Sequence, residues 1–241
     1  MTVLRSVLFN LVFFAWSGAM ALVLWPALLL PPQHLPWIGR LWARGCLALL
    51  SRTVRLSHEV RGRAHLPEGP VIVASKHQSA WDTIVFFLLF ANPAYVLKAE
   101  LLLIPIIGWY LRRVGMIAID RDGGARALKG MLAAAKRAIG EGRPIVIFPE
   151  GTRTAPGATR PYHPGTAALY AHLGLPVVPV ALNSGLYWGR RRFIKRPGRI
   201  VVEFLPAIAP GMERRAFGAE LERRIEEAVA RLVAEGRSQS S

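Results

Sequence analysis

The chain has 241 residues, 31 of them lysine or arginine against 15 acidic, a formal charge of +16 that favours an anionic partner: a phosphorylated substrate, an anionic leaflet, an acidic carrier protein or nucleic acid. Such a length holds one ordinary domain with an appendage. The single cysteine, Cys46, excludes an intramolecular disulfide, and an apolar share of 52% with a mean hydropathy of +0.31 is high for a soluble enzyme and points to contact with lipid.

The apolar surplus opens the chain. From Ser6 to Pro31 there is no charged side chain, and "VLFNLVFFAWSGAMALVLWPALLL" is long enough as a helix to cross a hydrocarbon core. Pro26, Gly18 and Asn10 weaken a straight spanning helix, and a second apolar stretch, "LPWIGRLWARGCLALL", follows at once. A spanning helix and a helical hairpin lying in one leaflet therefore both fit. Ala19-Met20-Ala21 has the small-x-small form of a signal-peptidase site, but the apolar run continues past it to Leu30, which argues against cleavage. Arg40, Arg44, Arg52, Arg55, Arg61 and Arg63 follow the run, whereas only Arg5 and the amino terminus precede it. The positive-inside rule then places the body on the cytoplasmic side of the inner membrane. Residues 1–56 are read as the membrane helix or hairpin, 57–236 as the catalytic domain and 237–241 as a disordered tail.

After about Ser57 short β-rich runs alternate with helical stretches. "VIVASK" (71–76), "AYVLKA" (94–99), "GMIAID" (115–120), "PIVIFP" (144–149), "PVVPVAL" (176–182) and "RIVVEFL" (199–205) predict strands buried on both faces. "WDTIVFFLLF", "ARALKGMLAAAKRAIGEG", "GTAALYAHLG" and "MERRAFGAELERRIEEAVARLVAEG" predict helices, the last with Leu221, Ile225, Ala228 and Leu232 on one face. The alternation implies an α/β fold with a largely parallel central sheet flanked by helices.

"SKHQSAWDT" (75–83) joins the first of these strands to the first helix. Ser79-Ala80-Trp81-Asp82 has the form of a capping box, which would give Asp82 a structural task. His77 stays on the preceding loop. Within one helix, residues five apart lie about 140° apart and cannot meet, but a loop histidine can fold back onto the first turn. A carboxylate there would fix the ring's tautomer and raise its basicity, leaving the other nitrogen to take a proton from a hydroxyl. Spacing alone leaves cap and catalysis both open. "FPEGTR" (148–153) follows another strand and offers Glu150, Gly151, Thr152 and Arg153; the guanidinium fork matches phosphate oxygens, although an ordinary surface turn has the same composition. Lys98 and Arg121 end two further strands. In a parallel sheet all of these face one edge, a set suited to acyl transfer onto a phosphate-bearing alcohol. No metal or other cofactor is called for.

Five blocks stand in order: H-x4-D (His77, Asp82), K-x-E-L-x3-P-x2-G (Lys98 to Gly108), G-x-I-x-I-D-R (Gly115 to Arg121), FPEGTR, and "VPVAL" (178–182). Together they resemble the glycerolipid acyltransferase superfamily, specifically the 1-acylglycerol-3-phosphate acyltransferases, over roughly residues 70–185. The resemblance implies transfer of an acyl group from acyl-carrier protein or acyl-CoA to the sn-2 hydroxyl of lysophosphatidic acid. By it, His77 is the base and Asp82 its partner, Lys98, Arg121 and Arg153 hold the phosphate, and Glu150 and Gly151 shape the acceptor pocket. It also implies an N-terminal helical pair inserted in one leaflet. Two positions depart from the pattern: Lys76 stands where asparagine is common, a cation that would disfavour protonation of its neighbour, and "YHPG" (162–165) replaces F-K-x-G, leaving His163 without an assigned role.

Ser79 is the rival nucleophile and is read as the cap instead. Another lysolipid acceptor, such as a lyso-ornithine lipid, would make a phosphate clamp unnecessary. A non-catalytic lipid-binding protein would not explain His77, Asp82 and Glu150 in register, and the basic residues form no nucleic-acid module. The run "GRRRFIKRPGR" (189–199) is expected to meet anionic headgroups or an acidic acyl-carrier protein.

Overall fold

The six apolar runs become strands within two residues of their expected ends, and a seventh joins them in one sheet of the computed structural model, which describes residues 1–120 and 123–238. The strands are β1 (Leu56–Arg61), β2 (Ile72–Ser75), β3 (Ala94–Lys98), β4 (Ile117–Ile119), β5 (Ile145–Ile147), β6 (Val177–Leu182) and β7 (Gly198–Phe204), in the order β1-β7-β6-β2-β5-β3-β4. From β6 to β4 every neighbouring pair is parallel. β7 lies antiparallel to β6, and β1 lies parallel to β7. The strand that sequence reasoning missed is β1: it is an edge strand, and "LSHEVR" alternates polar side chains with few apolar ones.

Alternate residues of the central strands feed two cores. Val73, Val146 and Val178 point to one face, covered by α1 (Thr2–Val23), α2 (Pro36–Leu49) and α3 (Trp81–Leu89). Ile72, Ala74, Ile145 and Val177 point to the other, covered by α5 (Gly124–Gly140), α6 (Pro164–Leu173) and α7 (Arg214–Ser238). The short α4 (Ile107–Arg113) follows the loop after β3. The expected face of α7 is the buried one, with Leu221, Ile225, Ala228 and Leu232 all in the core. α7 also runs to Ser238, two residues into the segment expected to be a disordered tail; residues 239–241 lie outside the described residues.

The apolar N-terminus folds as two helices. α1 has 22 residues and ends before Pro26; it is long and apolar enough to cross a membrane by length and composition. It is nonetheless tied to the rest of the chain along its length. Near its start, the Lys195 amide donates to Ser6 Oγ at 3.0 Å and Lys195 Nζ donates to Asn10 Oδ1 at 2.7 Å. Further along, Trp42 Nε1 donates to Ser17 Oγ at 3.0 Å and Trp16 Nε1 donates to the Trp42 carbonyl at 3.1 Å. Gly45 of α2 admits this contact, since a Cβ there would lie 2.3 Å from the Trp16 ring. Phe9, Leu35, Ala43, Cys46 and Leu50 belong to the same apolar cluster as the sheet residues, so the packing continues across the expected boundary near residue 56. The outer side of α1 keeps Leu4, Leu11 and Phe14 exposed, each by more than half.

Leu232→Ala is expected to lower unfolding free energy by about 2–4 kcal/mol, because a fully buried leucine leaves a cavity between α7 and the sheet. Urea titration of the purified chain in detergent measures it.

Candidate active site

The parallel strands end on one edge, and the chain segments leaving them build the site there, as the switch-point rule for open α/β sheets anticipates. After β2, residues 76–80 turn into α3. Asp82 is the second residue of that helix, so its carboxylate reaches back over amide groups that have no partner inside the helix, at the end where the helix dipole favours negative charge. Oδ2 accepts from the Gln78 amide at 2.6 Å and the Ser79 amide at 2.8 Å, and lies 3.0 Å from His77 Nδ1. Oδ1 accepts from Ser184 Oγ at 2.5 Å. The carboxylate is fully buried.

A carboxylate serving two amides and a hydroxyl acts as an acceptor, so Nδ1 is the donor in the His77 contact and Nε2 carries the free lone pair. The imidazole stacks on Phe148 with centroids 4.1 Å apart and 23° between planes, and 12% of its side chain remains accessible. Below it, Tyr95 donates from its hydroxyl to the Thr83 carbonyl at 2.9 Å; burial, with the charge of Asp82 adding, holds that phenol protonated well above its ordinary range. The capping box is half formed. Asp82 reaches back to Ser79 as expected, but the helix begins at Trp81, so Ser79 Oγ accepts from the Trp81 amide at 3.1 Å and not from Asp82. Ser79 is buried behind His77 and does not line the cavity in front of it.

That cavity has a volume of about 1690 Å³, well beyond a typical small-ligand pocket of roughly 300–1,000 Å³. Phe13, Met20, Leu24, Trp42, Phe87 and Leu111 make an apolar part between α1, α2, α3 and α4. His77, Lys98, Thr152, Arg153, Arg190 and Arg191 bring polar and cationic groups to the same space. The turn after β5 bends at Gly151, whose φ of 63° favours glycine and whose amide donates to the Phe148 carbonyl at 2.9 Å. Gly151 itself lines the cavity. Arg190 braces the turn from the far side, Nη1 donating to the Arg153 carbonyl at 3.3 Å. Arg121 lies outside the described residues.

Three expectations need correction. Glu150 does not shape the pocket: it is 2% exposed, sits behind the wall, pairs with Lys76 Nζ at 2.8 Å and accepts from the His77 amide at 3.2 Å. Lys76 does not stand as a bare cation beside the base, because its side chain runs to Glu150 and to Glu226 of α7, 2.7 Å away. The two side chains leave the turn after β2 in different directions, Lys76 to Glu150 and Glu226, His77 to Asp82 and the cavity. Lys195 is no surface cation. It is buried among Phe9, Trp188 and Phe193, and burial lowers its pKa.

Sequence reasoning passed over Ser184, Glu226 and Tyr162. Ser184 had a signal, a polar Asn183-Ser184 pair directly after a wholly buried strand. Glu226 had none, being one of several glutamates on a charged helix. Tyr162 donates to Glu226 Oε1 at 3.0 Å, and burial together with that carboxylate holds its phenol protonated. His163 precedes α6 and lines the cavity. Among the described residues no group of three or more His, Cys, Asp or Glu side chains is placed to hold a metal.

A histidine oriented by a buried carboxylate, at the C-terminal edge of a parallel sheet and open to a cavity with apolar and cationic walls, has the chemistry that base-assisted group transfer between amphiphiles needs. The chain belongs to the acyltransferase family, whose model, described as Acyltransferase, matches residues 57–183. It is 37% identical over 237 residues to a 1-acyl-sn-glycerol-3-phosphate acyltransferase of Pseudomonas aeruginosa, covering 96% of this chain and 91% of that one. A protein of the same description from Borreliella burgdorferi is 33% identical over 146 residues, 58% of this chain and 57% of the other. The crystal structure of the 1-acyl-sn-glycerophosphate (LPA) acyltransferase from Thermotoga maritima superposes with a TM-score of 0.79 over 96% of this chain and 98% of that one, at 21% identity, and so shares its fold.

His77→Ala and Asp82→Asn should each lower kcat by about 10³–10⁴-fold, since either removes the oriented base. Ser79→Ala should keep most activity. Near-complete loss in that variant, measured under saturating substrates, would make the serine a nucleophile instead of a cap.

Proposed function

We propose that this acyltransferase moves an acyl group from a thioester to the sn-2 hydroxyl of 1-acylglycerol-3-phosphate, giving phosphatidic acid. The observation that carries the reading is that Lys98 and Arg153 line the same cavity as His77, together with an apolar wall contributed by α1, α2, α3 and α4. The Pseudomonas and Borreliella relatives carry the name of that activity.

In this mechanism the acceptor's phosphate is held by Lys98 and Arg153, with Arg121 as a third cation, and Thr152 and the Gly151 turn help to seat it. This fixes the glycerol hydroxyl at His77 Nε2. The imidazole takes the hydroxyl proton as the oxygen attacks the thioester carbonyl, forming the new C–O bond. Asp82 stabilises the imidazolium. Collapse of the tetrahedral species breaks the C–S bond, and the same Nε2 proton passes to the departing thiolate, so the histidine is regenerated with no acyl-enzyme. The donor is acyl-carrier protein or acyl-CoA; both are anionic, and the net positive charge of the chain suits either.

We place the protein at the inner membrane with the catalytic body on the cytoplasmic side. A helix whose start is tied to the domain at Ser6 and Asn10, and whose middle is tied to α2 at Trp16 and Ser17, packs as one half of a docked helical pair, so the hairpin reading is favoured over the spanning one. Its exposed apolar side, with Phe193 and Ile194 beside its start, would enter one leaflet, and Arg190, Arg191 and Arg192 would meet headgroups.

An assay of lysophosphatidic acid against lysolipids without a phosphomonoester, each with acyl-carrier-protein and CoA thioesters, tests the reading. Lysophosphatidic acid should lead the panel, and preference for a lyso-ornithine lipid would sink the phosphate clamp. Arg153→Gln should raise KM for lysophosphatidic acid by about 10-fold or more, equivalent to loss of one charge-assisted contact. Equal KM values would remove Arg153 from the acceptor site.

A further inference from the structure

Lys76 is the one lysine among the largest fully buried side chains, and its surroundings give it a task. Nζ meets Glu150 Oε1 at 2.8 Å, Glu226 Oε1 at 2.7 Å and Oε2 at 2.9 Å. One cation between two carboxylates leaves the cluster with a net charge of minus one. The second oxygen of Glu150 accepts from the His77 amide at 3.2 Å, and the His77 carbonyl accepts from the Thr154 amide at 2.8 Å. The Lys76 amide in turn donates to the Val180 carbonyl at 2.9 Å. Both peptide groups flanking the His77 side chain are therefore gripped by residues 150–154, one through the Thr154 backbone and the other through the buried Glu150 carboxylate. An isolated carboxylate at that depth would take up a proton and lose acceptor strength. On the far side, Tyr162 binds Glu226 Oε1 and continues into His163, Pro164 and Gly165 on the cavity wall.

We infer that Lys76 is a positioning residue: through Glu150 and Glu226 it fixes the His77 peptide against the 148–153 turn and locks α7 to both. The inference rests on the acyl-transfer reading above and deepens it, assigning α7 a part in catalysis although Glu226 and Lys76 themselves do not reach the cavity. It also predicts a kinetic pattern. Loss of the clamp misplaces the base without touching the substrate, so kcat should fall and KM should not.

Three variants test this: Lys76→Met, Glu226→Gln, and the double variant Lys76→Met with Glu226→Gln. Each is compared with wild type in turnover per folded molecule, the folded fraction being set by urea titration. Lys76→Met should lower kcat by about 10–100-fold with KM for lysophosphatidic acid within about 2-fold. The double variant leaves Glu150 as isolated as Lys76→Met does, so its kcat should match that of Lys76→Met and not fall by the product of the two single losses. Should Lys76→Met fail to fold, Glu226→Gln, which preserves shape and the Lys76–Glu150 pair, should still lose kcat several-fold with KM unchanged. Turnover equal to wild type in Glu226→Gln, or multiplicative losses in a folded double variant, would overturn the positioning role. A wild-type chain that acylates no lysolipid would strike the functional reading instead.

Discussion

The carboxylate of Asp82 is the constraint on which the site is built. It is fully buried, and a buried charge is tolerated only when its acceptor positions are filled. They are filled from two places in the chain: the turn after β2, which supplies two amides and the ring of His77, and Ser184 beyond β6. Each donor that stabilises the charge is also placed by it. The helix start, the histidine tautomer and the connection after β6 thus satisfy one electrostatic demand, and the cap and the dyad that looked like rival readings are the same set of hydrogen bonds.

A second buried charge cluster lies behind the first. Lys76, Glu150 and Glu226 fill the space on the opposite face of the strand end, and the two clusters share the backbone of residues 76–78. The side chain that faces the cavity, His77, stands between a front network that sets its ring and a rear network that sets its peptide. The cationic groups of the cavity wall, Lys98 and Arg153, come from the end of β3 and the turn after β5, which neighbour one another in the sheet beside β2 and so bring both to the space in front of His77.

Much of this was legible beforehand. Strands buried on both faces declare themselves as short runs of Val and Ile bounded by Pro and Gly, and the residues that follow them must gather at one edge if the sheet is parallel. That logic placed His77, Lys98, Gly151, Thr152 and Arg153 around one space. It failed where a side chain could point to either face. Glu150 sits in the middle of a site-like motif yet turns inward, and Lys76 adjoins His77 yet leaves in the other direction. Neither outcome can be read without the partner on α7, more than seventy residues further on, whose own sequence context is an ordinary charged helix. β1 escaped notice for a related reason: an edge strand with one wet side carries too little apolar pattern to stand out.

The pairing of β1 with β7 sets an order of events during synthesis. Leu56 aligns with Gly198 and Arg61 with Glu203, so the strand directly following the N-terminal helices has no paired strand until residues 198–203 have left the ribosome. The loop that receives Ser6 and Asn10 emerges equally late. Until then α1 packs on α2, and α2 on α3, without the loop that holds the start of α1, and for the apolar side left open water is a poorer solvent than lipid. The topology thus gives the nascent chain a reason to meet lipid before its catalytic domain is complete.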